Sequence, residues 1–442
     1  MFYKKILFSI ICAFMINNSN ALKIEIKQGE VKPEPIGISD FKGNNGQKIS
    51  DIIRKDLNLS FLFVSISSDD INTIDLSNWK EKGARFLLYG KVNNNQVIFT
   101  LVDVITGKEL FKNKEVNINT SNIREAAHTI SDYVYERITN EVGYFNTKIV
   151  YVNTVQKSSG KKQSHRNTQL MIMDQDGANA KSITNGYELV LSPRFSPDGK
   201  SIAYIAYSNG TSSVFGKSAH VYIKNGNNSR KRLLEDSIMK EWIKKNNNKP
   251  ISMTYAPRFS PDGQSVVFAV IINGTSAIYK YNMTDNKLIQ LTQHKNIDTS
   301  PCYSPDGKSI VFTSNRAGTE ELYVMNVDGS DQHKISQGEG KYSQPVWSPR
   351  GDLITFTKQI GNTFYIGVVK PDGSGERSIA SGYLVESPVW SSNGRYIIYT
   401  YQSSAYENPQ IVLMDLTGRY NRIIKTNGDA SNPAWSPTIT KK

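Results

Sequence analysis

One phrase recurs six times in the second two thirds of this chain. "PRFSPDGKSIAY" runs from Pro193 to Tyr204, and "PRFSPDGQSVVF" from Pro257 to Phe268. "PCYSPDGKSIVF" (301–312), "PVWSPRGDLITF" (345–356) and "PVWSSNGRYIIY" (388–399) follow, and "PAWSP" closes the series at 433–437. A catalytic motif is needed once per site, whereas a structural unit has reason to recur. Successive prolines lie 64, 44, 44, 43 and 45 residues apart. A period in the low forties with strand-forming character is the signature of a β-propeller blade.

Each copy reads as a hairpin. The aromatic (Phe195, Phe259, Tyr303, Trp347, Trp390, Trp435) falls in a short inner strand and buries its ring between blades. In Pro-Asp-Gly the proline presets φ, the aspartate bonds the backbone and the glycine takes the positive φ of the turn. The next run is apolar or alternating, as in Ser309-Ile310-Val311-Phe312, which suits a buried second strand. Third strands show in "ELYVMNVDGSD" (321–331) and "QIVLMDLTGRY" (410–420), and fourth strands in "HKIS" (333–336) and "NRIIKT" (421–426). Only five residues follow Pro437, too few to complete a blade. "KIVYVNT" (148–154) and "QLMIMDQDGANAKSIT" (169–184) supply the missing strands from the start of the array. The expectation is an all-β six-bladed propeller over 146–442 whose closing blade is shared between both ends, leaving no exposed sheet edge. The long first interval holds a basic, partly helical insertion at 229–249, "SRKRLLEDSIMKEWIKKNNNK". It reads first as a solvated loop and second as a surface for an acidic partner.

Residues 22–145 carry no repeat. Ile49, Ile52, Ile53 and Leu57 share one helical face, as do Ile123, Ala127, Ile130, Val134 and Ile138, with Asn122 and Glu125 suited to a helix start. Strand-like runs lie between them at 85–92, 95–104 and 108–118. This predicts a small N-terminal α/β domain, joined to the propeller through "GYFNTK" (143–148).

The first 21 residues read as a signal peptide. Lys4 and Lys5 precede an apolar stretch, Ile6 to Met15, that is too short to span a bilayer. Ser19-Asn20-Ala21 places cleavage after Ala21, and no later stretch approaches the length of a transmembrane helix. Cys12 lies inside the discarded stretch, away from the small-residue context of a lipidated cysteine. Cys302 is then the one remaining cysteine, so an internal disulfide is excluded. The formal charge is +13, and loss of Lys4 and Lys5 leaves +11. For an exported chain that balance points to acidic proteins or anionic envelope polymers and away from nucleic acid.

No nucleophile elbow, zinc-protease helix, phosphate loop or cysteine pair appears. The histidines (128, 165, 220, 294, 333) are scattered, and Asp198, Asp262 and Asp306 are accounted for by turn geometry in separate blades. The loop entering each inner strand contributes the two residues before the proline. These are Leu191-Ser192, Tyr255-Ala256, Thr299-Ser300, Ser343-Gln344, Glu386-Ser387 and Ser431-Asn432. One carboxylate and no histidine among twelve positions make a poor calcium or zinc cage. Small hydroxyls, amides and one aromatic suit recognition of a peptide or protein surface, so no metal or cofactor is expected.

A signal peptide, a small α/β domain and a propeller ending in "NPAWSP" together resemble the TolB family, the periplasmic propellers of the Tol–Pal system. "PIGISDF" (35–41), "ISDIIRKDLNLSFLF" (49–63), "AAHTISDYVYERITN" (126–140), "TKIVYV" (147–152) and the "SPDGKSIAY" repeats carry the likeness over essentially all of the mature chain. The resemblance implies a non-enzymatic scaffold that supports outer-membrane integrity and envelope constriction during cell division. It implies binding of the lipoprotein Pal through the propeller face around the channel, at the twelve positions above, with Ala256, Thr299 and Ser300 in the best-matched loops. It also implies contact with TolA, beside other periplasmic Tol-system proteins, through the mature N-terminus: Leu22, Lys23, Ile24, Glu25, Ile26, Lys27, Gln28 and Gly29. The departures are the 229–249 insertion, "SPRG" at 348–351 and "SSNG" at 391–394. A propeller hydrolase is the competing class, but five residues after the last repeat leave no room for a hydrolase domain. A carbohydrate-binding propeller would want aromatic platforms at the channel mouth, where only Tyr255 qualifies.

Overall fold

The structure, a computed structural model, describes residues 32–67, 74–118, 122–156, 166–186, 188–207, 219–226, 230–247, 249–293 and 295–438. The cleavage site after Ala21 and the segment Leu22–Gly29 lie outside the described residues. No described helix is long and apolar enough to cross a membrane.

The N-terminal part is one five-stranded sheet with helices. In chain order it comprises β1 (Glu34–Ile38), α1 (Gly46–Leu59), β2 (Phe63–Ile66), α2 (Leu76–Glu81), β3 (Phe86–Asn93), β4 (Gln96–Asp103), β5 (Glu109–Asn117) and α3 (Ile123–Thr139). The sheet order is β2-β1-β3-β4-β5, with β1 parallel to both neighbours. Helices α1 and α3 form where the apolar spacing predicts them, and the Asn122 side chain accepts the Glu125 N–H at the start of α3. Strands β1 and β2 are additions to the sequence reading. They are short and parallel, and they lack the alternation that marks an exposed antiparallel strand.

The rest is a ring of six four-stranded antiparallel sheets. The inner strands are Val190–Phe195, Met253–Phe259, Asp298–Tyr303, Lys341–Trp347, Leu384–Trp390 and Asp429–Trp435, one for each of blades 1 to 6. The sixth pairs with Lys148–Gln156, Asp429 facing Thr154 and Trp435 facing Ile149. The two ends of the array thus share one sheet, as the strand count predicts. Turn chemistry holds each hairpin together. Ser196 Oγ donates to Asp198 Oδ1 at 2.5 Å while accepting from Ser201 N at 2.9 Å, and Asp198 Oδ1 also accepts from Lys200 N. Ser260–Asp262 and Ser304–Asp306 repeat the arrangement, and Ser391–Asn393 reproduces it with an amide. Within the insertion Lys231–Arg232 form the outer strand of blade 1 and Asp236–Lys245 form a helix, α4, whose Met239 and Trp242 join the blade 2 core.

The two parts share a single apolar core. It runs from Ile49, Ile53 and Ala127 through Tyr135, Tyr144 and Phe145 to Met173, Tyr396, Ile411 and Trp435 in blades 5 and 6. Polar contacts ring it. Tyr396 Oη donates to the Ser60 carbonyl at 2.5 Å, and Trp435 Nε1 to Thr147 Oγ1 at 2.7 Å. Arg395 and Arg350 both reach Glu141. On the closing blade, Arg124 binds Asp174 and Asp176 at 2.8 Å each, and Lys55 binds Asp176 at 2.7 Å.

Two consequences are measurable. The Trp390 ring is 4% exposed and its Nε1 donates to the Val346 carbonyl of blade 4 at 2.9 Å. Trp390→Ala should cost about 3–5 kcal/mol in urea unfolding. Burial pushes the Asp132 carboxyl up from 3.8 to about 7, against the Phe145 and Asn146 N–H groups that donate to it. A carboxyl raised on folding adds stability that is complete below its unfolded value and is lost as pH rises through its folded one. Unfolding midpoints should therefore fall between pH 4 and 7, and Asp132→Asn should flatten that decline.

A bulged channel ring as the candidate interaction site

The inner strands are not regular, and they depart from regularity at one position in every blade. In blade 1 Leu191 faces Ile205 and Arg194 faces Ala203, so Ser192 and Pro193 together oppose the single residue Tyr204. The same two-against-one register recurs at Ala256-Pro257, Ser300-Pro301, Gln344-Pro345, Ser387-Pro388 and Asn432-Pro433. Proline suits a bulge because the ladder bond it cannot donate is already lost there. The residue opposite is aromatic every time: Tyr204, Phe268, Phe312, Phe356, Tyr399 and Tyr151, all buried.

The residue before each proline has left-handed backbone. Ser192, Ala256, Ser300, Gln344, Ser387 and Asn432 have φ between 47 and 55°, and none is glycine. A side chain in this region costs roughly 1–2 kcal/mol. Six repeated instances around one axis mark a designed feature of the channel wall.

The twelve predicted positions are the left-handed residue of each bulge and the residue before it, which corrects their placement. They lie within the inner strands and line the channel wall; they are not on the loops that enter it. The structure joins those of blades 4 to 6 to one another. Gln344 Oε1 accepts from Ser387 N at 2.7 Å and from Thr357 Oγ1 at 3.0 Å. Gln344 Nε2 and Asn432 Nδ2 both reach Ser387 Oγ, at 3.3 and 2.9 Å. Asn432 N is satisfied by Thr400 Oγ1. Blades 1 to 3 present Leu191, Ser192, Tyr255, Ala256, Thr299 and Ser300, all half-buried, with one long contact of 3.5 Å between the Thr299 and Ser300 hydroxyls. Burial raises the Glu386 carboxyl above its usual range. Ser343 and Ser431 complete the ring, half-buried beside their bulges.

Beyond the prolines the channel opens into a cup of about 310 Å³, to which five blades contribute their aromatic-Ser-Pro stretches and blade 5 contributes Trp390-Ser391-Ser392. A larger recess of about 910 Å³ lies between blades 1 and 2 beside the insertion. Its cations are committed within the chain: Arg230 to Glu188, Lys231 to Glu235 and Arg232 to Asp236. His128, Asp174 and Asp176 also cluster, with ligand-type atoms close together. Arg124, Lys55 and Lys148 already neutralise the two carboxylates. Asp56 takes His128 Nδ1 at 2.7 Å. The cluster is therefore a buried ion-pair junction between the domains. Burial opposes charge on His128, and the Asp56 carboxylate more than offsets it, raising the imidazole.

The comparisons with known proteins agree with this two-part architecture. The sequence model of the TolB beta propeller domain matches residues 135–439, and that of the TolB amino-terminal domain matches 22–110. The chain belongs to the TolB family. The crystal structure of TolB from Acinetobacter baumannii is 26% identical over 92% of this chain and 97% of that one, with a TM-score of 0.76. A putative TolB from Agrobacterium tumefaciens is 20% identical over 65% of this chain and 91% of its own, with a TM-score of 0.48. Membership makes this a TolB-like periplasmic propeller protein.

The bulge strain gives a direct test. Ala256→Gly should stabilise the TolB-family fold by about 0.5–1 kcal/mol, because glycine takes positive φ without a Cβ penalty. Ala256→Val should destabilise it, both read from urea midpoints.

Proposed function

We propose that this chain is a non-enzymatic scaffold of the Tol–Pal system. It binds the lipoprotein Pal at the channel ring and TolA through Leu22–Gly29, and so supports outer-membrane integrity and envelope constriction during division. Family membership across both domains supports the reading. The asymmetry of the ring supports the choice of surface. Blades 4 to 6 hydrogen-bond among themselves through Gln344, Ser387 and Asn432. The half-buried Tyr255, Ala256, Thr299 and Ser300 are left to meet a partner. A rigid ring binds with little ordering cost, since its side chains are already held.

Calorimetric titration of residues 22–442 with the soluble domain of Pal should give saturable one-to-one binding. Thr299→Arg should abolish it by filling the mouth at blade 3. Binding that survives Thr299→Arg would move the site away from the ring. Deleting Leu22–Gly29 should abolish TolA binding in the same assay, and TolA binding that persists would overturn the N-terminal assignment.

A further inference from the structure

At the cup end of the channel, blades 1 and 2 form a groove that the function above does not use. The recess of about 910 Å³ between them shares Ser196, Pro197 and Phe259 with the cup, so the two are one continuous surface. Ile223, Phe259 and Met283 give it a half-buried apolar floor. Its cations are paired within the chain. Asp198 and Asp262 line the same recess, and among the described residues neither makes an ion pair. The Ser196 hydroxyl and the Lys200 N–H donate to Asp198 Oδ1, and the Ser260 hydroxyl and the Gln264 N–H to Asp262 Oδ1. These bonds hold both carboxyls below the usual range, and Lys200 and Lys280 add to the effect through space. In a chain of formal charge +13, the unpaired charges of this recess are therefore negative.

The path of the chain leads to it. Each turn glycine rests near the proline of the preceding blade: a Cβ on Gly263 would meet Pro197 Cδ at 3.8 Å, and one on Gly307 would meet Pro261 Cδ at 3.7 Å. Carried round the ring, this step sets Pro437 of blade 6 beside the blade 1 turn that holds Asp198, and both Pro437 and Pro197 line the cup. In blades 1 to 5 the chain after this position returns as the second strand. In blade 6 that strand is Lys148–Gln156, so the chain beyond Pro437 is not used by the blade. After Thr438 it reads Ile439-Thr440-Lys441-Lys442, one apolar residue and two cations. Four extended residues reach about 13–14 Å, more than the roughly 10 Å between packed sheets.

We infer that Ile439–Lys442 is a strap: it crosses from blade 6 over the cup, lays Ile439 against Pro197 and Phe259, and pairs Lys441 and Lys442 with Asp198 and Asp262. An exposed ion pair contributes little between free molecules, but a tethered segment docks at high effective concentration. Docked, the strap closes the cup and leaves the bulged ring as the open end of the channel. It does not depend on which partner the ring binds.

Spin labels at Thr440→Cys and Gln264→Cys in residues 22–442 test it by electron–electron distance measurement, Cys302 being buried. The expected result is one narrow distance distribution, which broadens at about 1 M salt. It should broaden equally in Lys441→Gln/Lys442→Gln and in Asp198→Asn/Asp262→Asn. Asparagine keeps the turn while removing the charge, as Ser391 and Asn393 show in blade 5, and the lysine pair lies outside the described fold. A broad distribution in the parent protein would overturn the strap. A narrow one that survives loss of either charge pair would overturn Asp198 and Asp262 as its receptors. A narrow distance that disappears on dilution with unlabelled protein would place the segment on a second copy and overturn the intramolecular strap.

Discussion

Every blade of this protein depends on accommodating one large ring against two small backbone steps. The aromatic that ends each repeat, Tyr204 or Phe268 for example, occupies the place opposite a left-handed residue and a proline. The bulge makes room for the ring, and the ring makes the bulge worth its strain by burying a large apolar surface. Because all six inner strands bend at the same level, the channel wall carries a continuous band of side chains from residues that a regular strand would orient differently. The interaction ring is thus a by-product of core packing. Its chemistry is free to vary from blade to blade while its geometry is not.

The α/β domain does not hang from the propeller on a linker. Its helices α1 and α3 complete the core of blades 5 and 6, and Tyr396 hydroxyl to Ser60 carbonyl is one of several polar contacts that fix the angle between them. The Arg124, Lys55 and Asp176 contacts are desolvated enough to matter, since the Asp176 carboxylate is fully buried. Removing one partner there would leave a charge unpaired in the interior. The sheet that begins with β1 at Glu34 is therefore packed against the blades that carry Gln344's hydrogen-bonded neighbours, Ser387 and Asn432.

Much of this was legible in the sequence because it is local or periodic. The serine, aspartate and glycine of the turns in blades 1 to 3 act within six residues of one another, and the blade count follows from the spacing of the prolines. The sharing of the closing blade follows from counting strands. The bulges were hidden for a physical reason. A residue before proline reads as extended, and serine, alanine and glutamine give no hint of positive φ as glycine or asparagine would. The parallel strands β1 and β2 were hidden because they are only five and four residues long and show no apolar–polar alternation. The ion-pair junction was hidden because Lys55 and Asp176 are 121 residues apart.

The shared closing blade also sets an order of events. Strand Lys148–Gln156 emerges nearly two thirds of the chain ahead of Asp429–Trp435, its partner on the channel side. A chain delivered N-terminus first must therefore hold an apolar sheet edge, with Val150, Tyr151 and Val152, unpaired until the final strand arrives. Such an edge is a template for mispairing between chains. Ring closure is the slow, long-range step of folding, and the α/β domain, already packed on that sheet, is its first protection.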